Sequence, residues 1–436
     1  MKVWKFGGTS VGSAERIKNI TQLFCDGEQK LVVLSAMAGV TNKLTDIAAY
    51  LSEKNQDAAS ETICALEKQH IETVAQLFTN EKLAVKAQQY IYEITGLLRS
   101  LTNEAITPRK ERLVLAQGEL LSTEIVTLYL QERGIKAANL PALDFMRLNE
   151  EGEPDIPYIR THLTEILEKQ RDVEIYITQG YICRNAQDEV GNLQRGGSDY
   201  TASLVGAALL AEEILIWTDI DGIHNNDPRY VEGTKSIEKL NFDEAAELAY
   251  FGAKILHPTC IHPAKIHNIP VRLLNSLHPQ DKGTLISNES VSRTVKAVAA
   301  KDNITAIKIQ SGHMLLAYGF LRKVFEIFEL YETPIDMITT SEVGVSLTID
   351  NMRNLDKIAS KLKKYGTISI DKNMVIICVV GDLKWESLEF PYQVIEALRE
   401  IPVRMISYGG SDHNISLLVR AEDKKRALEI LNHKLF

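Results

Sequence analysis

Three predicted buried strands constrain this chain more than any other feature. They are KLVVLSA from Lys30, EIYITQGYI from Glu174 and EILIWTDI from Glu213. KLVVLSA is a continuous apolar run, which is typical of a parallel strand buried on both faces, and the other two segments are predicted as further buried strands. Helical patterns alternate with them, including TASLVGAALLA from Thr201. The alternation predicts an α/β domain with a three-layer α/β/α arrangement over residues 1–290.

An internal repeat begins after about Ser290. PIDMIT from Pro334 leads to VSLTI from Val345, and PVRMIS from Pro402 leads to ISLLV from Ile415. An amphipathic helical stretch precedes and follows each repeat, which gives the β-α-β-β-α-β order of a ferredoxin-like unit. We therefore predict two such units within residues 291–436.

Composition excludes several classes of protein. The chain has 436 residues and a formal net charge of −9, and without long basic runs it is a poor candidate for binding nucleic acid. Its start does not resemble a signal peptide, and no stretch reaches the roughly 18 apolar residues that a membrane span needs. The five cysteines are scattered and form no C-x-x-C pair, which argues against a disulfide framework or a protein-bound metal site. These observations predict a cytoplasmic protein that binds neither membrane nor nucleic acid.

Two glycine turns carry candidate chemistry. In KFGGTS, a strand containing Lys5 runs into Gly7-Gly8 and then into hydroxyl side chains. Glycines let an anion approach the backbone, and the N-terminus of a following helix favours negative charge. In QRGGSDYTA, Arg195 is suited to a bidentate bond with a carboxylate, and we expect Ser198 or Asp199 to cap the next helix. Each turn taken alone is equally compatible with an ordinary tight turn.

Three further segments hold polar residues in positions that suit a ligand. WTDIDGIHNNDPR follows a predicted buried strand, and the carboxyl ends of parallel strands are where open α/β sheets bind ligands. FGAKILHP places Lys254 beside a glycine, and AQGELLS places Glu119 after one.

Together, and in this order, the segments resemble the aspartate kinases of the amino-acid kinase family. The matching pieces are KFGGTSVG, the turn Gly39-Val-Thr-Asn, Gly118-Glu119, RGGSDYTA, TDIDGI with DPR, and FGAKILHP. The resemblance covers essentially the whole chain, and it implies the amino-acid kinase fold followed by two ACT domains, of which one can be inserted in the other.

The resemblance also implies site residues. The catalytic residues would be Lys5 and Asp199. Aspartate would be bound by Thr41, Glu119, Arg195 and Ser198. ATP would be held by Lys5, Gly7, Gly8, Ser10, Thr218, Asp219, His224, Asp227, Arg229 and Lys254. Two positions depart from the family pattern: His224 stands where tyrosine is common, and Gln194 where glycine is common.

The implied reaction is ATP-dependent phosphorylation of L-aspartate to 4-phospho-L-aspartate, the first step toward lysine, threonine and methionine. Mg²⁺ would be carried by the nucleotide. A carboxyl group with a pKa of about 3.9 is already an anion at neutral pH, so no general base is required. Two alternatives stay open: a kinase of the same fold with another amino-acid acceptor, and a catalytically silent amino-acid sensor.

The segment HMLLAYGFLRKVFEIF resembles the effector loop and helix of lysine-sensitive aspartate kinases. This favours L-lysine over threonine as a feedback inhibitor, although Ala317 stands where that pattern has serine. The implied effector residues are Met314, Gly319, Phe320, Leu321, Asp336, Ser341 and Val343. The alternative is that these residues only pack the two ACT units together. We further expect a homodimer formed through the ACT domains.

Overall fold

The computed structural model describes residues 1–104, 106–193, 196–252, 256–289, 295–311, 318–383 and 389–436. The chain divides into two compact units. The first consists of Met1–Ile223 and Leu256–Asn288, and the second of His224–Ile255 and Glu289–Phe436.

The strands of the described residues are, in chain order, β1 (Lys2–Phe6), β2 (Lys30–Leu34), β3 (Ala137–Leu140), β4 (Ile175–Gln179), β5 (Ile182–Arg184), β6 (Val190–Asn192), β7 (Ile214–Thr218), β8 (Lys239–Asn241), β9 (Val271–Asn275), β10 (Thr284–Ser287), β11 (Val295–Gln310), β12 (Ile338–Ser341), β13 (Gly344–Ile349), β14 (Thr367–Gly381), β15 (Met405–Tyr408) and β16 (Asn414–Arg420). The helices are α1 (Ala14–Phe24), α2 (Val40–Ser52), α3 (Gln56–Leu77), α4 (Glu81–Ser100), α5 (Pro108–Glu132), α6 (Ile156–Lys169), α7 (Gly197–Leu209), α8 (Phe242–Phe251), α9 (Pro258–Ile266), α10 (Phe320–Leu330), α11 (Leu355–Leu362), α12 (Glu389–Ala397) and α13 (Lys424–Leu435).

The sheet of the first unit runs in the order β3-β4-β2-β1-β7-β9-β10. All of its pairings are parallel except that of β10, which is antiparallel to β9. The three segments predicted as buried strands form β2, β4 and β7, and every residue of β2 and β4 is buried. The predicted parallel, doubly covered strands are thereby confirmed.

The alternation of side chains along β1 explains why a lysine lies in this first strand. Trp4 and Phe6 point to one face, where their rings lie 5.3 and 5.8 Å from the ring of Trp217 on β7. Successive residues of a strand face opposite sides of the sheet. Lys5 therefore points away from this aromatic layer, to the face on which Asp199 of α7 meets it.

Helix α5 is the one described helix that is long and apolar enough to cross a membrane by length and composition. However, 78% of its most apolar window is buried, as in the core helices of soluble proteins. Its buried face includes Glu119, which makes this helix a wall of the candidate site described below.

The second unit has an antiparallel sheet with the order β12-β13-β11-β14-β16-β15. The long strands β11 and β14 pair along their length, with irregularities around Ile304. One half of this pair carries β13, α10 and α11, and the other half carries β16, α12 and α13, each around its own apolar core. These two halves correspond to the two predicted ferredoxin-like units, and the insertion of one unit in the other stays a prediction. The predicted boundary at residue 290 stays a prediction.

Candidate active site

A cavity of about 760 Å³ lies in the first unit at the carboxyl ends of β1, β2 and β7. Its lining includes both glycine turns and the first turns of α2 and α7. The lining residues are Gly7, Gly8, Thr9, Ser35, Ala36, Met37, Ala38, Gly39, Thr41, Asn42, Glu119, Tyr181, Leu193, Gly196, Gly197, Ser198, Thr218 and Asp219. The sheet therefore brings together residues that are widely separated in the sequence.

The ion pair of Lys5 with Asp199 lies beside this cavity. The Nζ atom of Lys5 is 2.7 Å from Oδ1 of Asp199, and the two side chains are 10% and 14% exposed. The same Nζ atom lies 3.5 Å from the point that a Cβ atom on Gly7 would occupy. Because both charges are largely removed from water, each holds the other in position.

Two glycines are required by close approach. A Cβ atom on Gly8 would lie 2.7 Å from the carbonyl oxygen of Ala36, so a side chain there would displace the turn after β1. A Cβ atom on Gly180 would lie 2.4 Å from Oγ of Ser198 and 2.8 Å from its Cα atom. Gly180 thus allows the first turn of α7 to approach the end of β4.

The expectation that Ser198 or Asp199 caps α7 is wrong. The cap is Gly196, with a φ of 74°, and the helix begins at Gly197. A left-handed residue is readily supplied by glycine, and here it starts the helix earlier than the sequence suggests. Ser198 and Asp199 therefore lie inside the first turn, where Ser198 lines the cavity and Asp199 contacts Lys5.

Glu119 combines deep burial with a position on the cavity. Its side chain projects from α5, and the residue is 5% exposed. Burial raises the pKa of this carboxyl to about 7, although hydrogen bonds from the backbone of Ala36 and of Glu119 itself oppose the shift. An ammonium group brought into the cavity would find a carboxyl there that can be charged at neutral pH.

Hydrogen bonds connect Ser10, which follows the glycine turn after β1, to Thr218 at the end of β7. The Oγ atoms of Ser10 and Ser276 are 2.7 Å apart, and Ser276 donates from Oγ to the carbonyl oxygen of Thr218 at 3.0 Å. Thr218 donates to Oδ1 of the neighbouring Asp219 at 3.3 Å. Ser10 is thus a buried brace for the turn, and Thr218 and Asp219 line the cavity.

Sequence reasoning missed Tyr181 and Ser276. Tyr181 lines the cavity with a φ of 68°, which is unusual for a residue other than glycine, and its N–H donates to Oγ1 of Thr201 at 3.0 Å. The sequence signal available was the glycine that precedes Tyr181 at the end of a predicted strand. Ser276 gave no signal, because only the fold brings it to Ser10.

Among the described residues, three that were predicted for the nucleotide belong to the second unit. Nδ1 of His224 lies 3.0 Å from Oγ1 of Thr234. Arg229 donates to both carboxylate oxygens of Asp227, at 2.9 Å from Nε and 2.7 Å from Nη2. These hydrogen bonds outweigh the effect of burial and hold the pKa of Asp227 below its ordinary value. The predicted site residues Arg195, Lys254 and Met314 lie outside the described residues, as does Gln194.

The predicted effector residues cluster near one half of the second unit. Gly319, with a φ of 78°, caps α10, and Phe320 is buried in the apolar core while Leu321 is partly exposed. Ser341 and Val343 are exposed at the turn between β12 and β13.

The carboxylate of Asp336 is only 1% exposed and lies 2.5 Å from Nζ of Lys301. The hydroxyl of Tyr250 also donates to this carboxylate, at 3.0 Å. Burial raises the pKa of Asp336, although Lys301 opposes the shift. An effector ammonium would therefore meet a carboxylate that already has a cationic partner.

Comparisons with known proteins identify the family of this chain. Residues 1–275 match the amino acid kinase family, and residues 377–435 match an ACT domain. Aspartokinase 2, chloroplastic, of Arabidopsis thaliana is 33% identical over 460 residues, which cover 100% of this chain and 84% of that protein. The solved structure of E. coli aspartokinase III with aspartate and ADP is 32% identical, covers 100% of both chains and has a TM-score of 0.86. The same enzyme with lysine and aspartate is 32% identical, covers 100% of this chain and 99% of that one, and has a TM-score of 0.82. The chain thus belongs to the amino-acid kinase family and, within it, to the aspartokinases.

Proposed function

We propose that this chain transfers the γ-phosphoryl group of ATP to the side-chain carboxylate of L-aspartate, giving 4-phospho-L-aspartate and ADP. A carboxylate oxygen forms a bond to the γ-phosphorus, and the bond from that phosphorus to the β,γ-bridging oxygen breaks. The observation that carries the proposal is the buried Lys5–Asp199 pair beside a glycine-lined cavity. The solved structure of E. coli aspartokinase III in complex with aspartate and ADP supports it.

The chemistry requires positive charge rather than a base. The attacking carboxylate is already ionised at neutral pH, and its approach to a polyphosphate is opposed by like charge. Phosphoryl transfer therefore depends mainly on positioning and electrostatic stabilisation. Lys5 supplies a cation to this cavity, and Asp199 keeps its ammonium group in place.

Two helix N-termini add to the positive charge that Lys5 brings to the cavity. The first turns of α2 and α7 line the cavity through Gly39, Thr41, Gly197 and Ser198. The N-terminus of a helix carries a partial positive charge and N–H groups without helical partners. Anionic groups of aspartate and of the phosphates are therefore favoured beside both helix N-termini.

Mg²⁺ fits the donors that remain. It prefers oxygen ligands, usually phosphates and water with one or two carboxylates, and the Asp219 carboxylate lines the cavity. Bound with the nucleotide, the ion would neutralise phosphate charge. Lys254 and Arg195 keep their predicted roles as nucleotide and substrate ligands.

A coupled assay of ADP release tests the proposal. Purified protein is given ATP and Mg²⁺ with L-aspartate, L-glutamate or N-acetyl-L-glutamate, and hydroxylamine traps any acyl phosphate as a hydroxamate. We expect ADP and hydroxamate with aspartate alone. Turnover with only another acceptor would move the chain to a different substrate, and no turnover with any of them would indicate a silent sensor.

Glu119 makes aspartate binding depend on pH. With a pKa of about 7 in the free enzyme, the carboxyl is neutral below that value and cannot pair with the substrate's ammonium. We expect kcat/KM for aspartate to fall as pH drops from 8 to 6, by up to about tenfold per unit below the pKa. Glu119→Gln should lower kcat/KM at pH 8 and remove this inflection. An unchanged inflection in the variant, with kcat/KM for ATP as the control, would assign the titration to another group.

L-Lysine is the proposed feedback inhibitor, supported by the lysine complex of the E. coli relative. Inhibition requires that lysine bind a low-activity state better than the active one. We expect lysine to inhibit at concentrations at which threonine does not, and Asp336→Asn to raise the lysine concentration needed by about tenfold or more. Lys301 then keeps Asp350 as a partner at 3.0 Å. Full activity in millimolar lysine, with inhibition by threonine alone, would reject lysine as effector. The homodimer through the ACT domains and the cytoplasmic location stay predictions.

A further inference from the structure

Residues 225–231, the segment that carries Asp227 and Arg229, pack against the last helix of the second unit and are hydrogen-bonded to it. The side chain of Asn226 is buried and donates from Nδ2 to the carbonyl oxygen of Leu428 on α13, at 3.1 Å. The carbonyl oxygen of Asn225 accepts from the N–H of Val298 on β11, at 2.8 Å. Val231 is buried in the apolar core that α13 helps to form. The segment is thus an integral part of the C-terminal ferredoxin-like unit.

Lys424 on α13 makes a further contact with this segment, through its buried ammonium group. This first residue of α13 is 6% exposed. Its Nζ atom lies 2.7 Å from Oδ2 of Asp302 and 3.9 Å from the centre of the Tyr230 ring. A cation over an aromatic face gains more when it is removed from water than at an exposed site. The ammonium therefore holds Tyr230 from one side while Asp302 compensates its charge.

Tyr230 directly follows the predicted nucleotide residues. The guanidinium carbon of Arg229 lies 5.9 Å from the Tyr230 ring centre. Arg229 and Asp227 bond to each other through two parallel contacts, and the Arg229 side chain remains 72% exposed. Asp227 occupies the Nε and Nη2 side of the guanidinium and fixes its orientation, so the remaining N–H groups of this exposed cation suit a phosphate. A shift of the Tyr230 ring would therefore shift the Arg229 guanidinium.

We propose that Lys424, through Tyr230, is a positioning residue for nucleotide binding, by which the C-terminal ACT unit sets the affinity for ATP but not for aspartate. The inference rests on the proposed function, since it takes Asp227 and Arg229 as nucleotide ligands. It gives this ACT unit a role that does not depend on an effector. The loss of a contact that only stabilises the fold would change KM for ATP and KM for aspartate by the same factor.

Lys424→Met tests this in the full-length enzyme, with two matched variants. Lys425→Met alters the next residue of the same helix, whose side chain is 67% exposed and pairs with Glu429. Lys424→Arg retains a cation for both Asp302 and the Tyr230 ring. For Lys424→Met we expect KM for ATP and Kd for ADP to rise by about tenfold, as the loss of one desolvated cation–π contact allows. KM for aspartate and kcat at saturation should stay within about twofold.

The controls decide the outcome. Lys425→Met should match the wild type, and Lys424→Arg should restore most of the nucleotide affinity. An unchanged Kd for ADP in Lys424→Met, an equal rise in KM for both substrates, or the same effect from Lys425→Met would overturn the inference. If Lys424→Met does not yield folded protein, Tyr230→Leu removes the same contact from the other side and is judged in the same way. A wild type that binds ADP without using aspartate would refute the proposed function, while the ADP measurement would still decide this inference.

Discussion

Replacing Lys5 with methionine should lower kcat by about 10²–10³, because the variant loses a cation placed where negative charge develops during phosphoryl transfer. Methionine keeps about the length of the side chain but carries no charge. The fold should persist, since Trp4 and Phe6 pack on the opposite face of the strand. The measurement is kcat from ADP release at saturating ATP and aspartate.

A second variant separates catalysis from stability. Lys5→Met leaves the Asp199 carboxylate buried without its cation, which is destabilising in itself. In the double variant Lys5→Met/Asp199→Asn the buried charge is gone, so the thermal unfolding midpoint should return toward that of the wild type while activity stays low. A single variant with kcat near the wild-type value would remove Lys5 from the mechanism. Recovery of activity in the double variant would show that the unpaired carboxylate, not the missing cation, caused the loss.

Gly180→Ala should have the next largest effect on kcat and should also lower the stability of the fold. The added methyl group would meet Oγ, Cβ and Cα of Ser198 at 2.4, 2.5 and 2.8 Å, and Cα belongs to the backbone of α7. The first turn of α7 must therefore move, and Asp199 and its ion pair with Lys5 must move with it. Overpacking of this kind costs about 1–3 kcal/mol in stability. A displacement of the reacting groups by about 1 Å can cost on the order of 10² in rate.

Gly96 provides the matched control for this substitution. It lies inside α4, where nothing is within 4 Å of an added Cβ atom. Gly96→Ala should leave kcat unchanged and stabilise the helix by about 0.5–1 kcal/mol. Thermal unfolding and kcat measured side by side check both expectations. A Gly180→Ala enzyme with full activity and an unchanged unfolding midpoint would show that α7 accommodates the methyl group without moving the site.

Local patterns in the sequence were sufficient for the elements of the fold. The apolar segments that form β2, β4 and β7 could be predicted because a strand buried on both faces is mostly apolar, with its polar residues at the strand ends. The C-terminal repeat could be predicted because its two halves keep the same order of strands and helices. Lys5, Thr41, Glu119 and Ser198 could be assigned to one site through short motifs; the last three line the same cavity, and Lys5 lies beside it in its ion pair with Asp199.

These local patterns could not predict contacts between residues that are far apart in the sequence. The start of α7 was misplaced because the left-handed Gly196 is set by its surroundings and not by its neighbours in sequence. Tyr181 and Ser276 were missed because their roles exist only after β4 and β9 are in place. Asp336, predicted to meet the ammonium group of an effector, also contacts Lys301 and Tyr250, and no local pattern indicates these two partners.

The sequence by itself thus determined which segments are strands, helices and glycine turns, since periodicity and backbone freedom are local properties. Only the tertiary structure decided which buried charges meet: Lys5 with Asp199, Lys301 with Asp336, and Lys424 with Asp302 and Tyr230. A charge withdrawn from water requires a partner of opposite sign or a polarisable face, and the chain finds that partner wherever packing places it. For the same reason, residues 225–231 are held by the C-terminal helix although they follow the first unit in sequence.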